Sequence, residues 1–210
     1  MKIELKNITK SFDGNIIIDD CNITMHSGKI YGFIGRNGSG KSVLFKLICG
    51  LYTPTKGEIL YNGEKINDSF LPDCRALIEK PTFLPNLSGL ENLKLLASIQ
   101  NKITESDIEK TLDVVNLSKE ERNKKFHKYS LGMKQKIGIA QVLMENPKIM
   151  IFDEPFNGIE KESLKKISDY IKSKSNKDTI IIIASHIEED IKKLANVVYE
   201  IDGGKVKEVK

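Results

Sequence analysis

The eight residues Gly35-Arg36-Asn37-Gly38-Ser39-Gly40-Lys41-Ser42 satisfy G-x-x-x-x-G-K-[ST] at every fixed position. Each residue type in that spacing has a chemical purpose. Glycines let successive backbone N–H groups turn inward on phosphate oxygens, and a helix starting at the lysine adds the partial positive charge of its N-terminus. Lys41 would reach the β- and γ-phosphates of a nucleoside triphosphate, and the Ser42 hydroxyl would ligate Mg²⁺. Residues 29–34 ahead of the loop read as a buried strand, and residues 43–48 behind it as a helix. That strand–loop–helix setting separates a phosphate loop from a glycine turn followed by an incidental Gly-Lys-Ser.

A second constellation follows far downstream. Lys148-Ile149-Met150-Ile151-Phe152-Asp153-Glu154 is an apolar strand ending in two acids. A carboxylate at the end of a buried strand facing a phosphate loop is how such proteins hold Mg²⁺, and Asp153 fits that role. Neighbouring strand residues point to opposite faces, so Glu154 is free to do something else. It would orient or deprotonate an attacking water, or merely cap the next element. The run Ile180-Ile181-Ile182-Ile183-Ala184-Ser185-His186 ends in a histidine. His186 would bond either the γ-phosphate or the carboxylate that handles the water.

The elements that must position these groups are legible in outline. Strand patterns occupy residues 2–9, 16–25, 29–34 and 57–61, with an Asn62-Gly63 turn signal after the last. Another short apolar run spans 75–79. Three capping-box patterns then come in quick succession, at Ser88–Glu91, Thr104–Asp107 and Ser118–Glu121, so the middle of the chain reads as an inserted helical region. Beyond it helices (133–145, 159–173, 187–195) alternate with apolar strands (148–152, 179–184, 197–201). Continuously apolar strands alternating with helices predict a mostly parallel sheet covered on both faces. Ligands of such sheets bind beyond the carboxyl ends of the strands, where the phosphate loop falls.

Composition narrows the class. The 210 residues are 40% hydrophobic and 30% charged, enough for a core without disulfides or structural metal. The cysteines Cys21, Cys49 and Cys74 are odd in number and show no C-x-x-C spacing, as expected in a reducing cytoplasm. The net charge of +4 is mild, and the scattered lysines form no basic stripe with interleaved aromatics, which argues against nucleic acid as a partner. The N-terminus lacks the apolar core of a signal peptide, and the apolar run 180–184 is too short to span a bilayer.

Together these residues resemble the ATP-binding-cassette (ABC) family over nearly the whole chain. The deciding segment is Tyr129-Ser130-Leu131-Gly132-Met133-Lys134-Gln135, which is similar to the family signature, usually L-S-G-G-Q, at a helix start. Ser130 and Gly132 match it; Tyr129, Leu131 and Met133 depart from it. The variant resembles that of ATPase subunits in antibiotic-peptide and lantibiotic export or immunity systems.

The resemblance implies a P-loop NTPase with a mostly parallel central sheet, an N-terminal antiparallel β subdomain and an inserted α-helical subdomain. It implies one nucleotide-binding domain over residues 1–210, with the helical part at roughly 80–130. It further implies ATP and Mg²⁺ as cofactors and a homodimer or pseudo-dimer in which Ser130 and Gly132 cap the γ-phosphate held by the partner. A separate membrane permease subunit would be driven by closure, and the chain would sit peripherally on the inner face of the cell membrane. Phe12 falls where the family stacks an aromatic on adenine, or is a core aromatic. Glu79 stands where the family carries a glutamine that touches Mg²⁺ or the lytic water, and Glu160 where its dimer-contacting loop ends in Asp. Phe83, Leu84, Leu87 and Leu90 would face the permease or pack internally. The alternative reading is a non-transport ABC ATPase of cofactor assembly, translation or DNA maintenance. A kinase or GTPase of another class is disfavoured by the 129–135 segment, by His186 and by the absence of N-K-x-D.

Overall fold

The computed structural model describes residues 1–66 and 69–210. The chain opens with strands β1 (Lys2–Phe12), β2 (Asn15–His26) and β3 (Lys29–Ile34), then helix α1 (Lys41–Ile48) and strands β4 (Lys56–Tyr61), β5 (Glu64–Lys65) and β6 (Cys74–Leu77). Helices α2 (Gly89–Gln100), α3 (Glu105–Val114) and α4 (Lys119–Asn123), a 3-10 turn at Phe126–Lys128, and α5 (Leu131–Leu143) follow. The chain then alternates through β7 (Ile149–Asp153), α6 (Lys161–Lys174), β8 (Ile180–Ser185), α7 (Glu188–Leu194), β9 (Val197–Asp202) and β10 (Lys205–Glu208).

The central sheet has the order β10-β9-β3-β8-β7-β6. Only the β9–β10 pairing is antiparallel; the other four are parallel. Strands β3, β7 and β8 are apolar between their ends because each of their faces feeds a different core. Ile30, Met150, Phe152, Ile181 and Ile183 pack into a core shared with helices α2, α3, α5, α6 and α7. Tyr31, Phe33, Ile149, Ile151, Ile180 and Ile182 pack into a second core, shared with α1 and the N-terminal strands. A strand buried on both faces has no position left for a polar side chain.

That second core is closed by an antiparallel sheet of order β2-β1-β4-β5. Ile3 and Leu5 of β1 alternate inward against it, and Ile8 joins them across a register shift. Irregular register past Leu5 carries β1 on to Phe12, three residues beyond the expected end. Asn62 and Gly63 take φ of 52° and 89° between β4 and β5, the paired positive φ that an Asn-Gly hairpin turn requires.

All three capping boxes form with both halves made: in α2 the Glu91 N–H donates to Ser88 Oγ (3.2 Å) and the Ser88 N–H to Glu91 Oε2 (2.7 Å). Phe83 packs edge-on against Phe126 (centroids 5.1 Å apart) and Leu90 is buried, whereas Leu84 is exposed. The short apolar run at 75–79 is strand only as far as Leu77. Glu79 takes φ 64°, which turns the chain out of the ladder with β7.

Register brings the chemistry together. Ile34 lies opposite Ser185, and Asp153 opposite Ala184, so the carboxyl ends of β3, β7 and β8 are level. The phosphate loop, the acidic pair and His186 all leave the sheet from this edge.

Candidate functional site

The loop 35–40 runs into α1 with Gly40 as N-cap, at φ 106° and with no side-chain cap. A side chain at 40 would be strained, and its Cβ would stand 2.9 Å from Ile18 Cδ1 and 3.1 Å from the Ile17 carbonyl oxygen. The first turn of α1 holds no acid, so its N–H groups and its partial positive charge face the cleft uncompensated. Lys41 is buried; its Nζ donates to the carbonyls of Gly35 (2.7 Å) and Arg36 (3.1 Å) and lies 3.5 Å from Glu154 Oε1. Arg36, Asn37 and Gly38 are exposed along the loop, and Ser39 is half-buried beneath it.

Ser42 Oγ donates to Asp153 Oδ2 across the gap between α1 and β7. Asp153 is 4% exposed, and its other oxygen, Oδ1, is buried without a hydrogen-bond partner. Burial pushes its carboxyl above the ordinary value, and the negative charge of Glu154 adds to this. The Ser42 hydrogen bond, the backbone of Glu79 and the Lys41 charge oppose it. A carboxylate with one unpartnered oxygen beside a serine hydroxyl, at a loop built for phosphate, fits Mg²⁺, which binds few protein oxygens and completes its shell with phosphate and water.

Glu154 sits at φ 50°, left-handed for a non-glycine residue. Its N–H is bound to the Ala184 carbonyl (2.9 Å) and its own carbonyl accepts from Gln135 Nε2 (2.8 Å). His186 Nδ1 donates to Glu154 Oε2 at 2.7 Å. The carboxylate is thus held between an imidazole and the Lys41 ammonium. Of the two partners the sequence left open for His186, the geometry provides the carboxylate. A cleft of about 310 Å³ runs from Phe12 past Asn37 and Lys41 to Asp153 and Glu154. Phe12 is 39% exposed at its far end, edge-on to Tyr52 (5.6 Å), and is not a core aromatic.

Ser130 and Gly132 do not line that cleft among the described residues. Ser130 N-caps α5, accepting from the Met133 N–H at 3.2 Å. Gly132 packs against the loop after β7: a Cβ there would stand 2.5 Å from the Gly158 carbonyl oxygen. Residue Glu79 is brought to the site by its backbone alone. Its carboxylate turns away to Lys46 on α1, at 2.5 Å, and is not beside Ser42 or Asp153.

A family model described as "ABC transporter" matches residues 18–157. The chain belongs to the ABC transporter family. This ABC cassette is 38% identical over 200 residues to the bacitracin transport ATP-binding protein BcrA of Enterococcus faecalis, covering 93% of the chain and 65% of that relative. It is 33% identical over 204 residues to the lantibiotic transport ATP-binding protein SrtF of Streptococcus pyogenes, covering 97% and 88%. The chain thus spans less than two thirds of the length of the enterococcal relative. Its fold is that of the dimeric, post-hydrolysis ATP-binding cassette MJ0796 bound to ADP and Pi, with TM-score 0.88, 22% identity, and 99% and 98% of the two chains covered. No helix of the described residues is long and apolar enough to cross a membrane.

Three polar residues of the ABC cassette escape sequence reasoning. Gln135 and Lys136 are buried near the start of α5, and Lys46 lies on α1. Lys136 Nζ donates to the Asn116 carbonyl (3.1 Å) and pairs with Glu160, which also accepts from Ser163 Oγ (2.7 Å). These two partners hold the Glu160 carboxyl down at about 2. Glu160, whose place after β7 suggests a dimer contact, is thus tied to α5 within its own chain, with its side chain 56% exposed. The available signal was Gln135-Lys136 directly before an all-apolar turn: buried polar groups need partners.

Proposed function

We propose that residues 1–210 work as one nucleotide-binding domain, with residues 80–130 as its helical subdomain, that binds and hydrolyses Mg²⁺–ATP and closes on a second cassette to drive a separate membrane permease. One observation carries the reading: Lys41, the Ser42–Asp153 pair and Glu154 line one cleft at one sheet edge, and His186 bonds Glu154 beside it.

The chemistry assigned to each group follows from its surroundings. The loop 35–40 and the N-terminus of α1 cradle the β-phosphate, and Lys41 exchanges its loop carbonyls for β- and γ-phosphate oxygens. Ser42 and Asp153 hold Mg²⁺, which when bound neutralises charge on the phosphates. Glu79 joins them only by releasing Lys46. Glu154 orients a water for in-line attack and takes up its proton, while His186 fixes the carboxylate that would otherwise swing. Phe12 offers a stacking face for adenine. Ser130 and the α5 N-terminus, whose first turn carries no acid, form a second anion site aimed away from the chain's own cleft. They suit the γ-phosphate of a second cassette. The dimeric state of MJ0796 and the transport roles of BcrA and SrtF support pairing and a permease partner, and export is the direction proposed. The chain would then lie on the inner membrane face through that permease, with the exposed Leu84 of the helical part as one contact.

Glu154→Gln is the test. ATP binding should persist, hydrolysis should fall at least about a hundredfold, roughly 2.7 kcal/mol of barrier, and ATP should trap a dimer visible by size-exclusion chromatography. Hydrolysis at the unaltered rate would remove Glu154 from the mechanism.

A further inference from the structure

Glu79 poses a charge problem. Leu77, two residues before it, pairs with Phe152, the neighbour of Asp153, so the Glu79 carboxylate stands within one side-chain length of the place assigned to metal and phosphates. An extra negative charge there would repel the triphosphate. The side chain is instead on Lys46: Glu79 Oε1 lies 2.5 Å from Lys46 Nζ, and this hydrogen bond is the chief cause raising the Lys46 pKa. Lys46 is fixed from its other side as well, with Nζ 5.3 Å from the centroid of the Tyr52 ring. Tyr52 in turn meets Phe12 edge-on, and Lys10 Nζ sits over both rings at 4.8 and 5.6 Å.

Lys46 belongs to the helix that starts at the phosphate loop, five residues and about 7.5 Å along its axis from Lys41. It therefore moves rigidly with the phosphate site. Glu79 holds its left-handed φ of 64° in the loop that follows β6.

We propose that Lys46 is the positioning counter-ion that allows this chain to carry a carboxylate at residue 79. It neutralises Glu79 and holds the side chain on α1, clear of the phosphates, while the chain at 79 leaves the sheet beside the end of β7. The proposal rests on the ATP reading above. It makes the pair electrostatically conditional: without Lys46, Glu79 is a defect, and without Glu79, Lys46 is dispensable for binding.

Isothermal titration of the full chain with ATP, in EDTA and at low ionic strength, tests this. Lys46→Met should weaken ATP binding about three- to tenfold, a modest effect because the Glu79 carboxylate is 61% exposed. Glu79→Gln should tighten it about two- to threefold, and the double variant should match Glu79→Gln within about twofold. The Lys46→Met deficit should shrink in about 0.5 M salt. Should Lys46→Met fail to fold by circular dichroism, the exchange Lys46→Glu with Glu79→Lys serves instead: each single change weakens binding and the pair restores it. Unchanged affinity in Lys46→Met, or a deficit that persists in the double variant, overturns the proposal. Failure of the unaltered chain to bind ATP would instead overturn the ATP reading.

Discussion

Replacing Gln135 with Leu should damage catalysis more than nucleotide binding. Glu154 is held in a left-handed conformation, which costs a non-glycine residue about 1–2 kcal/mol. Two hydrogen bonds hold it there, from its N–H to Ala184 and from Gln135 Nε2 to its carbonyl at 2.8 Å. Leucine keeps most of the volume but removes the donor and leaves a part-buried carbonyl unpaired, a loss of about 1–2 kcal/mol. For a domain of this size that lowers Tm by roughly 2–8 °C. The freed peptide then relaxes toward an ordinary φ and carries the Glu154 carboxylate off His186. A displacement near 1 Å at a reacting group costs up to about a hundredfold, so kcat should fall roughly ten- to a hundredfold. Lys41 and the loop are untouched, so the ATP concentration at half-maximal rate should change less than about threefold. Steady-state ATPase assays with a melting curve decide this. A kcat within twofold of the unaltered protein, with Tm lowered as expected, would show that Gln135 supports the fold and not the position of Glu154.

Three further outcomes are expected. Asp153 is raised above its ordinary 3.8 by burial, so the native state holds its proton more tightly than the unfolded chain, and stability falls as pH rises through that shifted value. Asp153→Asn should therefore raise Tm at pH 7–8 in EDTA, with the gain vanishing below about pH 4, while saturating Mg²⁺–ATP should stabilise the unaltered protein more than the variant; equal Tm values in EDTA would contradict the burial penalty. Glu160 is held down to about 2 by Lys136 and Ser163, so its contribution is complete above its ordinary 4.5 and is lost as pH falls toward 2. Glu160→Gln should cost about 1 kcal/mol at pH 7, discounted for an exposed carboxylate, and denaturation midpoints of the two proteins should converge between pH 4.5 and 2; a gap that is independent of pH would assign the effect elsewhere. Gly132→Val would drive a Cβ to 2.5 Å from the Gly158 carbonyl. It should leave ATP binding by the monomer within about twofold while abolishing ATP-dependent dimers; intact dimers would exclude a trans role for this turn.

The patterns that could be read in advance are those written in contiguous residues. The loop 35–42, the acids ending β7, the histidine after β8 and the three capping boxes each lie within a few residues, and local rules of turn, cap and strand end act over that range. The apolar runs that predicted the central strands are the two cores seen edge-on, since each face of β3, β7 and β8 is dry. Where prediction missed, a distant partner intervened. The apolar run at 75–79 is strand only to Leu77 because Glu79 turns out of the sheet, and β1 ran on to Phe12 through irregular pairing with β2.

By itself, then, the amino-acid sequence determined the elements, the phosphate loop and which side chains stand at the edge of the sheet, because burial pattern and backbone preference are properties of short segments. Only the tertiary structure decided how those side chains are paired: Gln135 with the carbonyl of a residue 19 positions on, and Lys46 with an acid 33 positions on. Buried polar groups and charges must find partners, and a partner is chosen by distance in space, which register and helix packing set and which spacing along the chain does not.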